Sequence, residues 1–279
     1  MFDIIYSFFG AILHFFYNFF GNYGLAIIGF TFVVNVILLP LTWKQQKSTT
    51  KMQAIQPELT KIQEKYKNDK EKQSAEMMKL YQENNINPMG GCLPLLIQLP
   101  IIFILYRIVY SPITHMLGYS AEKLAEVQTK FPEIQGNMME VALAAKSGLI
   151  NFDFFGLDLS RVPSISQISI LWLIPILAGL STYALSWLTL RQAEAKKTEE
   201  QKKKEKDNPA AGSMQTMNKI MPLMTVFFAF SFSASIGLYW IMNNIFKIIQ
   251  QFIVNIMLEK ELKNPLVIDA NSNSGKKKK

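Results

Sequence analysis

The chain has 279 residues, 49% of them hydrophobic, with 20 Phe, 14 Met and a formal net charge of +8. Apolar content on this scale, gathered in long blocks, excludes an ordinary soluble domain. The single cysteine, Cys92, excludes an internal disulfide and a multi-cysteine metal site, and the two histidines, His14 and His115, lie far apart with no companion at ligand spacing.

Residues 1–20 carry Asp3, Ser7, His14 and Asn18 on one helical face, which predicts an amphipathic helix lying in the membrane interface, with a true span as the alternative. A basic leading region and a small-residue cleavage site, the marks of a signal peptide, are missing. The first span is placed at 21–42. Its run from Tyr23 to Leu41 is long enough to cross about 30 Å of hydrocarbon. Asn35 interrupts the run at its centre, where an amide must face protein or a wet cavity. The span is expected to end at Pro40–Leu41–Thr42, before Trp43 at the interface.

Residues 43–91 are expected to form a helical hairpin. Met52, Ile55, Leu59, Ile62 and Tyr66 recur at coiled-coil spacing, Lys67–Asn68–Asp69–Lys70 reads as a turn, and Ser74, Met77 and Tyr81 can face back along a second arm. Asn87–Pro88–Met89–Gly90–Gly91 ends it. A second span at 92–111 carries Gln98 and Pro100. Residues 112–166 form an acidic loop with helical character in 120–147, and a third span follows at 167–190. A Lys-rich segment at 191–216 separates this from a fourth span at 217–233 and a fifth at 234–258, which form a tight antiparallel hairpin. The tail, 259–279, ends in Lys276, Lys277, Lys278 and Lys279.

Charge orients these parts. Residues 43–90 hold nine Lys against six acids, whereas 111–167 hold four basic residues against six acids. Because Lys and Arg resist translocation, the basic segments mark the cytoplasmic side, with the N-terminus outside and the C-terminus inside. The expected fold is all-α and polytopic, with five transmembrane helices. Thr31 and Asn35 share a face of the first span, Gln98 sits in the second, and Tyr239, Trp240, Asn243 and Asn244 sit in the fifth. Such groups either glue helices together or line a water-accessible groove. No GxxxxGK[ST], HExxH or GxSxG pattern occurs, so no enzyme activity, metal or cofactor is expected.

The blocks TFVVNVILLPLT, KMQAIQPELTKIQEKYKNDKEK, EMMKLYQENNINPMGGCLPLLIQLPI and GLYWIMNNIFKIIQQ resemble the YidC/Oxa/Alb family of membrane protein insertases over roughly residues 22–258. The third block, a hairpin arm running through NPMGGC into LPLLIQ, is the most specific. With no large domain between the first two spans and a Lys-rich tail, the chain looks like the short Gram-positive form, in the bacterial plasma membrane. The resemblance implies five helices around a hydrophilic groove that is open to the cytoplasm and the lipid and closed outside. Thr31, Asn35, Gln98, Tyr239, Trp240 and Asn243 would form that groove. Nascent membrane proteins would be the substrates, inserted and helped to fold without nucleotide hydrolysis. Where the family pattern usually has Arg, this chain has Asn35, which offers hydrogen bonds but no charge. The basic hairpin and Lys276–Lys279 would contact ribosomal RNA or anionic lipid, and the Sec translocation channel is a further expected partner. Two other readings of the polar residues stay open: a small channel or transporter using the same groove, and a helix-assembling scaffold.

Overall fold

The computed structural model describes residues 2–84, 86, 93–195 and 220–262, and the side chains of these except 2–3, 50, 53–54, 56, 93–99, 193–195, 255 and 258–262. In chain order the elements are α1 (Phe2–Phe20), α2 (Tyr23–Lys65), α3 (Lys70–Glu83), α4 (Leu93–Tyr110), α5 (Pro112–His115), α6 (Ala121–Thr129), α7 (Met139–Lys146), β1 (Asp153–Phe154), β2 (Leu157–Asp158), a 3-10 turn (Ile170–Trp172), α8 (Leu173–Ala195), α9 (Ile220–Ala229) and α10 (Ala234–Leu262). Cys92, the Asn87–Gly91 stop, most of 191–216 and the tail from 263 onward lie outside the described residues.

The largest departure from the sequence reading is α2. It does not stop at Pro40–Leu41–Thr42 but continues as one helix of 43 residues with Pro40 and Pro57 inside it. A proline forfeits a single backbone bond, here to the Val36 carbonyl, and side chains can repair the neighbouring turn. Just beyond it, Thr42 Oγ1 donates to the Leu38 carbonyl at 3.0 Å. At its start, the Asn22 side chain accepts from the Leu25 N–H at 3.1 Å, capping the helix.

After a turn at Tyr66–Asp69, α3 folds back on the last turns of α2. Ile55 and Leu59 of α2 are buried against Leu80 of α3 and Ile86 beyond it, flanked by Met52, Ile62, Met77 and Tyr81. The polar link is Gln73 Nε2 donating to the Gln63 carbonyl at 2.8 Å. Ser74, expected on this seam, is exposed. A hydroxyl gains nothing from the apolar contact, and Leu80, six residues further on, is the buried residue of α3 instead. Burial raises the Tyr81 phenol above its ordinary range.

The main core lies at the other end of α2. Tyr23, Ile27 and Phe30 pack against Leu105, Ile108 and Val109 of α4 and against Ile113, Val141, Leu143, Ile150, Phe152 and Leu159. Residues 112–166 are thus a folded cap rather than a loop. The single helical stretch expected over 120–147 is two helices, interrupted between Thr129 and Met139 around Pro132. The buried Glu140 carboxylate ties the cap to α5, accepting from the Thr114 N–H at 2.8 Å and its hydroxyl at 2.9 Å. On the exposed side, Lys146 donates to Glu133 and holds that carboxyl below the usual carboxylate range. A β-hairpin pairs Asp153 with Asp158 and Phe154 with Leu157. Its turn places both Phe155 (φ 52°) and Gly156 (φ 81°) in the left-handed region, as two-residue hairpin turns with the right twist require.

Helix α1 packs on α2, α4 and α5, with Leu13 buried. Its outward side does not follow the expected polar face. Ser7 and Asn18 are exposed, but so are Ile4, Phe8, Phe15 and Phe19. At Gly10 the helix meets the His115 backbone so closely that a Cβ would overlap its carbonyl oxygen. Backbone cannot yield as a side-chain tip can, so Gly10→Ala is expected to cost about 1–3 kcal/mol. A lowered thermal midpoint in detergent is the expected readout, and an unchanged midpoint would refute the close approach.

Among the described residues, two helices are long and apolar enough to cross a membrane, Tyr23–Thr49 and Ile170–Gln192. Shorter apolar helices run Ile4–Phe20, Pro100–Tyr110 and Ile220–Ala229. Their outward side chains are bare hydrocarbon: Phe32, Phe103, Leu180, Leu223 and Phe227 are all more than half exposed. A continuous apolar surface of this kind needs lipid or protein over it.

Candidate functional site: a polar cavity between three helices

Helix α10 carries its amides in two rows offset by one residue. Asn243 and Gln250 lie seven apart and face α2, while Asn244 and Gln251, also seven apart, face α8. The period of an α-helix turns a seven-residue repeat into a stripe along one side. On the α2 side, Asn35 Nδ2 donates to Asn243 Oδ1 at 3.2 Å and to the Thr31 carbonyl at 2.9 Å, and Gln250 Nε2 donates to the Asn35 carbonyl at 2.9 Å. On the α8 side, Asn244 Nδ2 donates to Thr182 Oγ1 at 2.9 Å and Ser181 Oγ at 3.1 Å, and Gln251 Nε2 donates to Gln192 Oε1 at 2.8 Å.

Below Asn35 these three helices part around a cavity of about 270 Å³, to which α4 adds Ile101. From α2 it is lined by Asn35, Leu38, Leu41, Thr42, Gln45, Gln46 and Thr49, a stripe at helical spacing. Thr189 comes from α8, and Tyr239, Asn243, Lys247, Gln250 and Gln251 come from α10. The space therefore begins at the amide in the middle of the apolar run and follows α2 toward the arm on which α3 docks. Hydroxyls and amides at this density can hold water or a polar chain segment.

The residues expected from sequence divide into three groups. Asn35, Asn243 and Tyr239 come together at the cavity. Thr31 is wholly buried, and its hydroxyl donates to the Ile27 carbonyl at 2.6 Å, so it supports Asn35 from the turn above without lining the space. Trp240 faces away. It sits edge-on to Phe232 and lines a second, apolar cavity of about 320 Å³ with Phe103, Tyr106, Ile236 and Tyr239. The side chain of Gln98 and Lys276–Lys279 fall outside the described residues. The sequence reading missed Thr42, Gln45, Gln46, Thr49 and Lys247. The signal for the first four was their helical spacing from Asn35, Leu38 and one another, and the last three lay beyond the expected end of the span at Thr42. Lys247 follows Asn243 by one turn and was readable on the same grounds as Gln250.

The model of the 60Kd inner membrane protein family matches residues 15–261. The chain belongs to this family. Among its curated relatives, the membrane protein insertase YidC of Clostridium perfringens is 33% identical over 240 residues, covering 86% of this chain and 81% of the relative. Membrane protein insertase YidC 2 of Bacillus anthracis is 31% identical over 248 residues, covering 87% and 76%. The relative from Syntrophobacter fumaroxidans is 33% identical over 246 residues, but they make up only 36% of its length. Family membership agrees with the bare apolar surface of the helices and gives the polar cavity a setting inside a membrane.

Proposed function

We propose that this protein inserts nascent membrane proteins into the bacterial plasma membrane and helps them fold, using the cavity beside Asn35 as a hydrophilic groove. The observation that carries the mechanism is the row of polar side chains on α2 from Asn35 to Thr49, which lines the cavity together with Asn243, Lys247 and Gln250 of α10. At the other end of α2, Tyr23, Ile27 and Phe30 are packed shut under the cap. A channel or transporter would need that end open.

In this reading five spans cross the bilayer: α2 as far as the Asn35–Thr49 stretch, α4, α8, α9 and α10. The cap lies outside, α1 lies in the outer interface, and the α2–α3 arm projects into the cytoplasm. A polar segment in full hydrocarbon strands its backbone groups at several kcal/mol each. Amides and water reaching partway into the bilayer shorten that path. Burial of the substrate's apolar helix completes the transfer, with the membrane potential adding about 2.3 kcal/mol per charge per 100 mV. No nucleotide is used. Basic residues of the arm and tail would meet ribosomal RNA or anionic headgroups, and the Sec channel would be a neighbour.

The test is reconstitution of the purified protein in liposomes, with a short single-span substrate translated in their presence. Protease protection of its translocated end should depend on the protein. Equal protection in empty liposomes would refute the function.

A further inference from the structure

Among the described residues, the two most exposed large apolar side chains are not on the apolar helices. They are Ile168, 86% exposed, and Phe155, 84% exposed. Each stands at the head of one of the two long apolar helices. Ile168 lies two residues before Ile170, where the run Ile170–Gln192 starts. Phe155 is carried by the β-hairpin, which is seated on the start of α2. There the Asn22 side chain donates to the Asp153 carbonyl and the Tyr23 N–H donates to the Asn151 carbonyl at 3.0 Å. A Cβ on Gly24 would overlap the Phe154 ring, which meets Phe155 edge-on with centroids 4.8 Å apart. Both tips are held rather than loose. Trp172 Nε1 closes the loop before Ile168, donating to the Ser164 carbonyl at 2.8 Å and the Gln167 carbonyl at 3.2 Å. Phe155 takes φ 52° at the first position of its two-residue turn, which favours Asn, Asp or Gly over a bulky ring. The ring is thus unfavourable in water and in its backbone setting at once, a combination that points to a partner for it.

We propose that Phe155 and the Ile165–Ile168 loop are apolar feet that seat the cap in the outer leaflet, with lipid acyl chains at the headgroup boundary as their partner. The proposal rests on the reading of the cap as external and adds a membrane contact to it. Continuity selects lipid: Ile168 and Ile170 lead into Leu173, Ile176 and Leu180, an exposed row at helical spacing along α8. The loop is therefore the outer end of the apolar belt. Its chemistry agrees. Residues 162–172 contain no charged side chain, and their polar members are Ser and Gln, which suits a neutral interface better than a partner bound through ion pairs. The heights agree as well. Asn35 lies 12 residues beyond Tyr23 in α2, about 18 Å along the helix. Feet at the edge of about 30 Å of hydrocarbon thus place the head of the polar cavity near the midplane. In this arrangement the feet set the depth at which the cavity begins.

The experiment uses the full chain in liposomes of purely zwitterionic lipid, with nitroxides attached singly to cysteines in a Cys92→Ser background. Positions 155 and 168 are labelled, with the exposed Val36 of α2 and the exposed Glu126 of α6 as references. The readout is the ratio of collisions with oxygen, which concentrates in hydrocarbon, to collisions with a water-soluble nickel chelate present on both sides. Labels at 155 and 168 should exceed the label at 126 in that ratio by about tenfold, the factor that burial of one such side chain supplies. A label at Gln167 leaves both isoleucines in place and should also read as lipid. Ile165→Asn combined with Ile168→Asn should return it to the value at 126. A ratio at 155 or 168 equal to that at 126, with Val36 in hydrocarbon, overturns the feet and leaves the insertase reading intact. Shielding of the tips that appears only when a substrate is translated in their presence does the same and assigns the surface to protein. A Gln167 label that stays in lipid in the double variant also overturns the feet, because α8 alone then holds the loop. A Val36 label in water overturns the five-span reading and the feet with it.

Discussion

Asn35→Leu is expected to reduce protein-dependent insertion by about tenfold or more while leaving the helices assembled. The Asn35 amide makes the contact to Asn243 at 3.2 Å and stands at the head of the polar stripe. Leucine removes the donor and places hydrocarbon where a polar segment must pass, at a cost of several kcal/mol per stranded group. The effect on assembly should be far smaller. Interhelical hydrogen bonds within a membrane average about 0.6 kcal/mol, because the separated helices find other partners. The bond from Gln250 goes to the backbone carbonyl of residue 35 and survives the change. Insertion measured by protease protection should therefore fall while the thermal midpoint in detergent moves little. If activity and midpoint instead fall in step, Asn35 is interhelical glue and the groove has no separate role. Asn35→Gln, which keeps the amide on a longer stem, should recover most of the activity.

Leu59→Asp is expected to release α3 from α2. The cluster beneath α3 is small, with Ile55, Leu59, Leu80 and Ile86 as its buried members and no larger core to compensate. A carboxylate among them has no cation to meet in that cluster, and placing it there costs about 3 kcal/mol or more. That exceeds what a short helix held by one apolar seam and one amide bond can absorb, so α3 should spend most of its time undocked. Tryptic cleavage at Lys70, Lys72 and Lys79 should accelerate by about two orders of magnitude, following the opening equilibrium. The Asn35–Asn243 contact, on the far side of Pro40, should persist. A cysteine pair at 35 and 243 should cross-link equally well in both proteins. Unchanged cleavage would show that the seam does not hold α3.

Hydropathy and charge suffice to place the apolar helices and the polar interruptions, because these are properties of single segments. Asn35 was identifiable from one window of sequence, and Asn243 from the block that also contains Gln250 and Gln251. What segment-by-segment reading cannot supply is the partner across a gap of hundreds of residues. Nothing in residues 23–41 says that Asn35 meets Asn243, nor that Thr31 points away from the cavity into its own helix. Trp240 shows the same limit in reverse. It adjoins Tyr239 in sequence, but a 100° step along α10 puts it in an apolar pocket with Phe232. The cap was concealed for a different reason. Its buried residues, Val141, Leu143 and Ile150 among them, are too few per segment to show a period, and they join a core only with residues from other helices, those of α4 and the start of α2 among them. Proline misled most. Read as punctuation, Pro40 hid the continuation of α2 and with it Gln45, Gln46 and Thr49 of the cavity lining.

That continuity gives the molecule a mechanical property. A helix of 43 residues is a rod about 65 Å long, and Asn35 and Leu59 are separated by about 36 Å along it. Between them a rung of the backbone ladder is missing at Pro40 and again at Pro57, close to Leu59. A bend of about 5° at Pro40 would swing Leu59, about 28 Å further along the helix, by about 2.5 Å. Conversely, a load applied to the α3 arm reaches Pro40, within two turns of Asn35, along that one helix. Docking of a large body on the arm and the width of the polar cavity are thus coupled through a single piece of polypeptide.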